Sequence, residues 1–180
     1  DLTSGNSGNI VLVATAGNIV LNIGTNSGTA AVSANGSGNI LIDALAGSVT
    51  ANADVVSSTG HITMKSGTNL ALTDGVAVTT GTDGAISLNA EGGNLTMVGT
   101  AMVTATNSSL RVAASGNIAL GNLTAANVSV ISSGGAITNA TGTSKNVTAT
   151  NLRLESDDAI GASGRHFSLN VVTATANSAG

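Results

Sequence analysis

The chain has 180 residues and a net charge of −4, with five Lys and Arg against nine acids, and only 8% of it is charged. So few, scattered cations leave no basic stripe for a phosphate backbone, and with Phe167 as the sole aromatic residue there is no platform for stacking bases, which excludes a nucleic-acid partner. Zero Cys excludes a disulfide scaffold or a Cys-ligated metal, and no apolar run reaches the roughly 18 residues of a membrane span, which excludes insertion into a bilayer by this segment.

In chain order, one short phrase keeps returning: a Gly or Gly-Asn, then an apolar residue, any residue, and another apolar residue. It is first met at Gly8-Asn9-Ile10-Val11-Leu12 and again at Gly17-Asn18-Ile19-Val20-Leu21 and Gly38-Asn39-Ile40-Leu41-Ile42. Gly60-His61-Ile62-Thr63-Met64, Gly84-Ala85-Ile86-Ser87-Leu88, Gly93-Asn94-Leu95-Thr96-Met97 and Gly116-Asn117-Ile118-Ala119-Leu120 follow. Each copy is a turn signal before a strand too short to bury its own apolar face, so the copies must stack on one another. Helices are excluded by the density of Gly and β-branched residues and by the lack of any apolar stripe at helical spacing.

Three strand positions per coil account for the whole chain. First strands are predicted to start at Ile10, Ile40, Ile62, Ile86, Leu110, Val128 and Leu152, and second strands at Ile19, Val49, Leu70, Leu95, Ile118, Ile137 and Ile160. Third strands are predicted near Val32, Val55, Ala77, Val103, Leu123, Val147 and Val171. The expected fold is all-β: a right-handed parallel β-helix of about seven coils over residues 1–180, rising about 4.8 Å per coil, as one domain cut from a longer rod. Alternation points the outer residues of each triplet inward and the middle residue outward, which puts Lys65, Arg111 and Arg153 on or beside the surface. Gly is expected at corners for positive φ, and Asn9, Asn18, Asn39, Asn69, Asn94 and Asn117, just before strands, are expected to stack as amide ladders.

These Gly-Asn-Ile-x-Leu units, together with Asn122-Leu123-Thr124-Ala125, Asn146-Val147-Thr148-Ala149 and the stretch from Asn170 to Ala174, resemble the repeat regions of filamentous haemagglutinin-like exoproteins of Gram-negative bacteria. The resemblance spans essentially the whole chain. It implies a long right-handed β-helix, secreted through an outer-membrane partner (two-partner secretion) to the cell surface. It further implies a role in adhesion, aggregation or contact-dependent inhibition. Expected partners are the neighbouring coils of the parent protein and host or bacterial surface glycans or proteins. Neither terminus has the polar cover of a capping repeat, so end-to-end self-association is also expected.

Candidate chemistry is sparse, and the chain is expected not to be an enzyme. No catalytic, cofactor-binding or metal-ligating residue is assigned, and no cofactor is expected. Glu155-Ser156-Asp157-Asp158 is the one tight acidic group, predicted to lie in a turn where solvated acids are the rule; it would hold a hard cation such as Ca²⁺ only weakly, and the calcium β-roll nonapeptide is missing. Through it, a polysaccharide-active β-helix enzyme is one alternative reading. His61 and His166 fall more than four coils apart and cannot share a site. Gly92-Gly93 and Gly134-Gly135 lack the Lys and helix of a phosphate loop. Asn-x-Ser/Thr triplets, among them those at Asn94, Asn107, Asn122, Asn127, Asn139 and Asn146, are expected by chance in so Asn-, Ser- and Thr-rich a chain. A second alternative is an ice-binding face, from outward Thr-x-Thr rows at Thr104-Ala105-Thr106, Thr148-Ala149-Thr150 and Thr173-Ala174-Thr175.

Overall fold

A computed structural model of the chain describes residues 1–25, 28–141 and 145–179. Among them there is no helix, hence none long and apolar enough to cross a membrane. The strands wind as a parallel β-solenoid, and every strand pair is parallel, down to the short Ile19–Leu21 on Val49–Ala51. On the first face the inward file runs Ile10, Ile40, Ile62, Ile86, Leu110, Val128, Leu152 and Ala174 in unbroken register. The second face stacks Ile19, Val49, Leu70, Leu95, Ile118 and Ile137. The third stacks Leu2, Val32, Val55, Val78, Val103, Leu123, Val147 and Leu169.

Four details differ from expectation. The second-face sheet has six strands, so the rod makes about six turns and not seven: Ile160 forms only an isolated bridge to Ile137 before the chain turns at Gly161, φ +86°. A rung the repeat phrase does not mark, Leu2–Ser4, precedes the first predicted coil and pairs with the strand Ala30–Ala34. Val78, not Ala77, is the inward residue of its rung. The last coils also fuse third and first strands into single long ones, Met102–Ala114, Asn122–Ser132, Val147–Ser156 and Leu169–Ser178. The cause is the corner, which takes six residues from Thr80 to Ile86 but only three from Ala125 to Val128. A register shift between Ala105 and Ser109, beside Asn107 at φ 55°, absorbs the change.

Aliphatic side chains fill the interior. Ile62, Met64, Leu70, Leu72, Leu88, Leu95 and Ile118 are fully enclosed, each contributing about 1.5–3 kcal/mol. Buried hydroxyls plug the corners by bonding to corner carbonyls. Ser57 Oγ donates to Gly38 O at 2.8 Å, Thr80 Oγ1 to Gly60 O at 2.7 Å, and Ser156 Oγ to Gly135 O at 2.6 Å. Each satisfies a polar group that would otherwise be orphaned in an apolar interior. Near the end of the rod, buried Asn146 does the same on a larger scale. Its Nδ2 donates to Leu120 O, Asn139 Oδ1 and Thr141 Oγ1, and its Oδ1 accepts from Ser168 N–H at 3.1 Å.

Corner glycines are needed mainly for closeness, not for positive φ. A Cβ on Gly47 would lie 1.9 Å from Gly17 O, and one on Gly60 would lie 2.1 Å from Gly38 O, so the carbonyl of the coil below occupies the space a side chain would take.

Candidate functional site

Outward residues of the first face form two parallel files with a trough between them. One file holds His61, Ala85, Ser109, Asn127, Asn151 and Thr173; the other holds Thr63, Ser87, Arg111, Ser129, Arg153 and Thr175. The backbone of the inward file, from Ile62 to Leu152, makes the floor. The trough encloses about 690 Å³ and spans six rungs, about 24 Å at the spacing of paired strands. Its polar groups are therefore repeated along the rod axis, once per coil in each file.

The charge of this trough runs against that of the chain. Two of the five cations, Arg111 and Arg153, line it with His61, while none of the nine acids does. Arg153 is held by Glu155, two residues along the same strand, whereas Arg111 has no ion pair among the described residues. Beyond the trough, Lys65 bridges Asp43 on the coil below at 3.6 Å and Glu91 at 3.0 Å. The hydrogen bond to Glu91, then the charge of Asp43, raise the Lys65 pKa above its ordinary value. Because the folded pKa is raised, the stabilisation is complete below pH 10.5 and is lost as pH climbs through the folded value; for a side chain one-third exposed it is small.

Asn ladders exist, but they join side chain to backbone. Asn9 Oδ1 accepts from Asn39 N–H at 2.9 Å, and Asn39 Oδ1 accepts from His61 N–H at 2.8 Å. His61 then takes the place of Asn, its Nδ1 accepting from Ala85 N–H at 2.9 Å, which puts the ring proton on Nε2. A second ladder runs from Asn69 through Asn94 and Asn117 to Ala136 N–H. Between stacked rungs, amide-to-amide bonds join Asn52 to Asn22 and Asn151 to Asn127. The geometry predicts that His61→Asn leaves the chemical-denaturation midpoint nearly unchanged, while His61→Leu, which removes the acceptor, lowers stability by about 0.5–1.5 kcal/mol.

The other candidates scatter. Glu155 and Ser156 end a strand and are not in the turn; Ser156 is buried, and only Asp157 and Asp158 project from the turn as exposed acids. His166 lies in an exposed segment beyond Gly161, where its carbonyl accepts from Asn139 Nδ2, far along the rod from His61. Among the described residues no group of three or more His, Asp or Glu is placed to hold a metal ion. Of the Asn-x-Ser/Thr asparagines, Asn139 and Asn146 are buried, and Asn94 is tied into its ladder. Asn107 and Asn127 are exposed.

Threonine rows are only partly where the sequence suggests. Thr79, Thr104, Thr124 and Thr148 do stack in one outward file, flanked by Val56 below and Asn170 above. Thr173-Ala174-Thr175, however, stacks on Asn151-Leu152-Arg153 of the first face and belongs to the trough. The threonine face carries a hollow of about 420 Å³ between Thr106 and Val172.

The trough was missed at the sequence level. Arg111 and Arg153 were legible as outward residues, and the spacing Leu110, Val128, Leu152 already puts them in one file two coils apart. Concavity has no signature in an alternating pattern. Comparison of the chain with family models, with curated proteins and with solved structures returns no match in any of the three.

Proposed function

We propose that the chain is a non-enzymatic segment of a large exoprotein of the Gram-negative cell surface, of the filamentous haemagglutinin-like kind it resembles, acting as a stalk and, through its exposed faces, as an adhesive. One observation carries this reading: the first-face ladder passes from rung to rung, from Ile10 to Ala174, while among the described residues no three His, Asp or Glu gather at one place to hold a metal ion. Such a solenoid extends by adding coils, so length is its most available property. Neighbouring coils of a parent rod, or another copy, would supply the ladder partners for the outermost strands, Ile10–Ala14 and Leu169–Ser178, which pair on one side only.

Incubating the chain with a panel of plant and bacterial polysaccharides tests the non-enzymatic part. No reducing or unsaturated sugar ends should appear above the blank. Steady release of ends that stops in Asp157→Asn or Asp158→Asn would overturn the reading and put the polysaccharide-active one in its place.

A further inference from the structure

We propose that the first-face trough binds an extended acidic polysaccharide in which a uronate alternates with an uncharged sugar, with Arg111 and Arg153 each taking one carboxylate. The proposal names the ligand class for the adhesive part of the function above and rests on that part. Charge is the first reason: an acidic chain gathers two arginines and no acid along this one trough. An anion at Arg111 meets no acid in the lining and leaves solvent for a partner able to form two parallel N–H···O bonds.

Spacing is the second reason. Arg111, Ser129 and Arg153 occupy one file on consecutive rungs, so the guanidinium stems start about 9.6 Å apart. One carboxylate cannot reach both. Two sugar units of an extended pyranose chain cover about that length, so a polymer charged on every second sugar presents its carboxylates at the arginine repeat. The uncharged sugar then lies over Ser129, opposite Asn127 and Asn151, whose side chains exchange hydrogen bonds with hydroxyl groups. Its C–H face rests on the arginine stems on either side, an apolar contact that the missing aromatics would otherwise supply.

Arg153 is already engaged by Glu155, so a ligand must displace that carboxylate, whereas Arg111 is free to bind. Arg111 should therefore be the more sensitive position. The test is calorimetric titration of the chain with a hyaluronan oligosaccharide long enough to span the trough. The same oligosaccharide with its carboxyls reduced to alcohols, polygalacturonate and polyglutamate are the comparison probes.

The expected result is hyaluronan binding that falls at least ten-fold in Arg111→Gln, falls less in Arg153→Gln, and is unchanged in Lys145→Gln, an exposed cation outside the trough. Carboxyl-reduced hyaluronan should not bind, and polygalacturonate, charged on every sugar, should bind more weakly. Unchanged thermal unfolding of Arg111→Gln excludes loss of the fold as the cause. Absence of hyaluronan binding, equal binding of the reduced form, equal loss in Lys145→Gln, or equal binding of polyglutamate would each overturn the proposal. A rod that fails with hyaluronan yet still coats beads and makes them adhere to cells would leave the stalk and adhesive reading intact. Failure of adhesion together with intact hyaluronan binding would do the reverse.

Discussion

Replacing Ile86 with Asp should cost at least about 4 kcal/mol, enough to abolish cooperative folding of the surrounding coils. Ile86 is 2% exposed and sits in the middle of the first-face file, between Ile62 on one rung and Leu110 on the next. Among the described residues no cation is buried in that interior, so a carboxylate there must either stay charged without an ionic partner or take up a proton. Because each coil is stabilised mainly by its neighbours, the damage should spread to the rungs of Ile62 and Leu110 before it fades. Hydrogen exchange should show amide protection lost over Ile62–Ser66 and Ile86–Ala90 first, with Ile10–Ala14 the last to follow. Ile86→Val, which removes one methylene, should cost only about 0.5–1.5 kcal/mol. An Asp variant with the unfolding midpoint of the parent would show that this file is not the core.

Gly47→Ala should be the most damaging single-methyl addition to the chain. Its Cβ would meet Gly17 O at 1.9 Å and Gly17 C at 2.3 Å, and both are backbone atoms of the coil below, with no rotamer to give way. Relief requires the two coils to part at that corner, which weakens the ladder between Ile19–Leu21 and Val49–Ala51. Overpacking of this kind typically costs about 1–3 kcal/mol, and a clash of backbone on backbone belongs at or above the top of that range. Gly5→Ala is the matched comparison: nothing lies within 4 Å of its added Cβ, so stability should change by less than about 0.5 kcal/mol. Urea denaturation of the two variants side by side measures the difference, and similar midpoints would mean the coils do not approach as closely as the corner requires.

Much of this architecture is written in the spacing of apolar pairs. First-strand starts from Ile10 to Leu152 all fall on one stacked file, because strict alternation leaves only one way for each triplet to face the interior. Where the pattern loses its punctuation, the reading slips. Leu2–Ser4 carries no Gly-Asn ahead of it, and between Val171 and Ala174 no glycine marks the corner, so Thr173-Ala174-Thr175 reads as a third strand when it is the start of a first one. Ile160 has the apolar triplet signature but is followed at once by Gly161 and Gly164, both at positive φ, which turn the chain away. The ladders of Asn9, Asn39 and His61 show a different limit. Composition shows which side chains precede strands, but only the rung spacing reveals that each oxygen, or the His61 nitrogen, meets the next coil's N–H.

Pairing of each rung with its equivalent one coil on is the claim from which the core, the corner glycines and the trough all follow. A chain without cysteine lets a single cross-link test it. Thr63 and Ser87 are register partners on adjoining parallel strands, so their Cα atoms should stand about 4.8 Å apart, inside the disulfide range. The Thr63→Cys/Ser87→Cys variant should therefore oxidise quantitatively to an intramolecular disulfide under native conditions, detected by mass spectrometry after proteolysis. Thr63→Cys/Ser129→Cys, whose positions lie three rungs apart in the same file, should stay reduced or link only between molecules. Failure of the first pair to close, or equally ready closure of the second, would contradict the parallel solenoid itself.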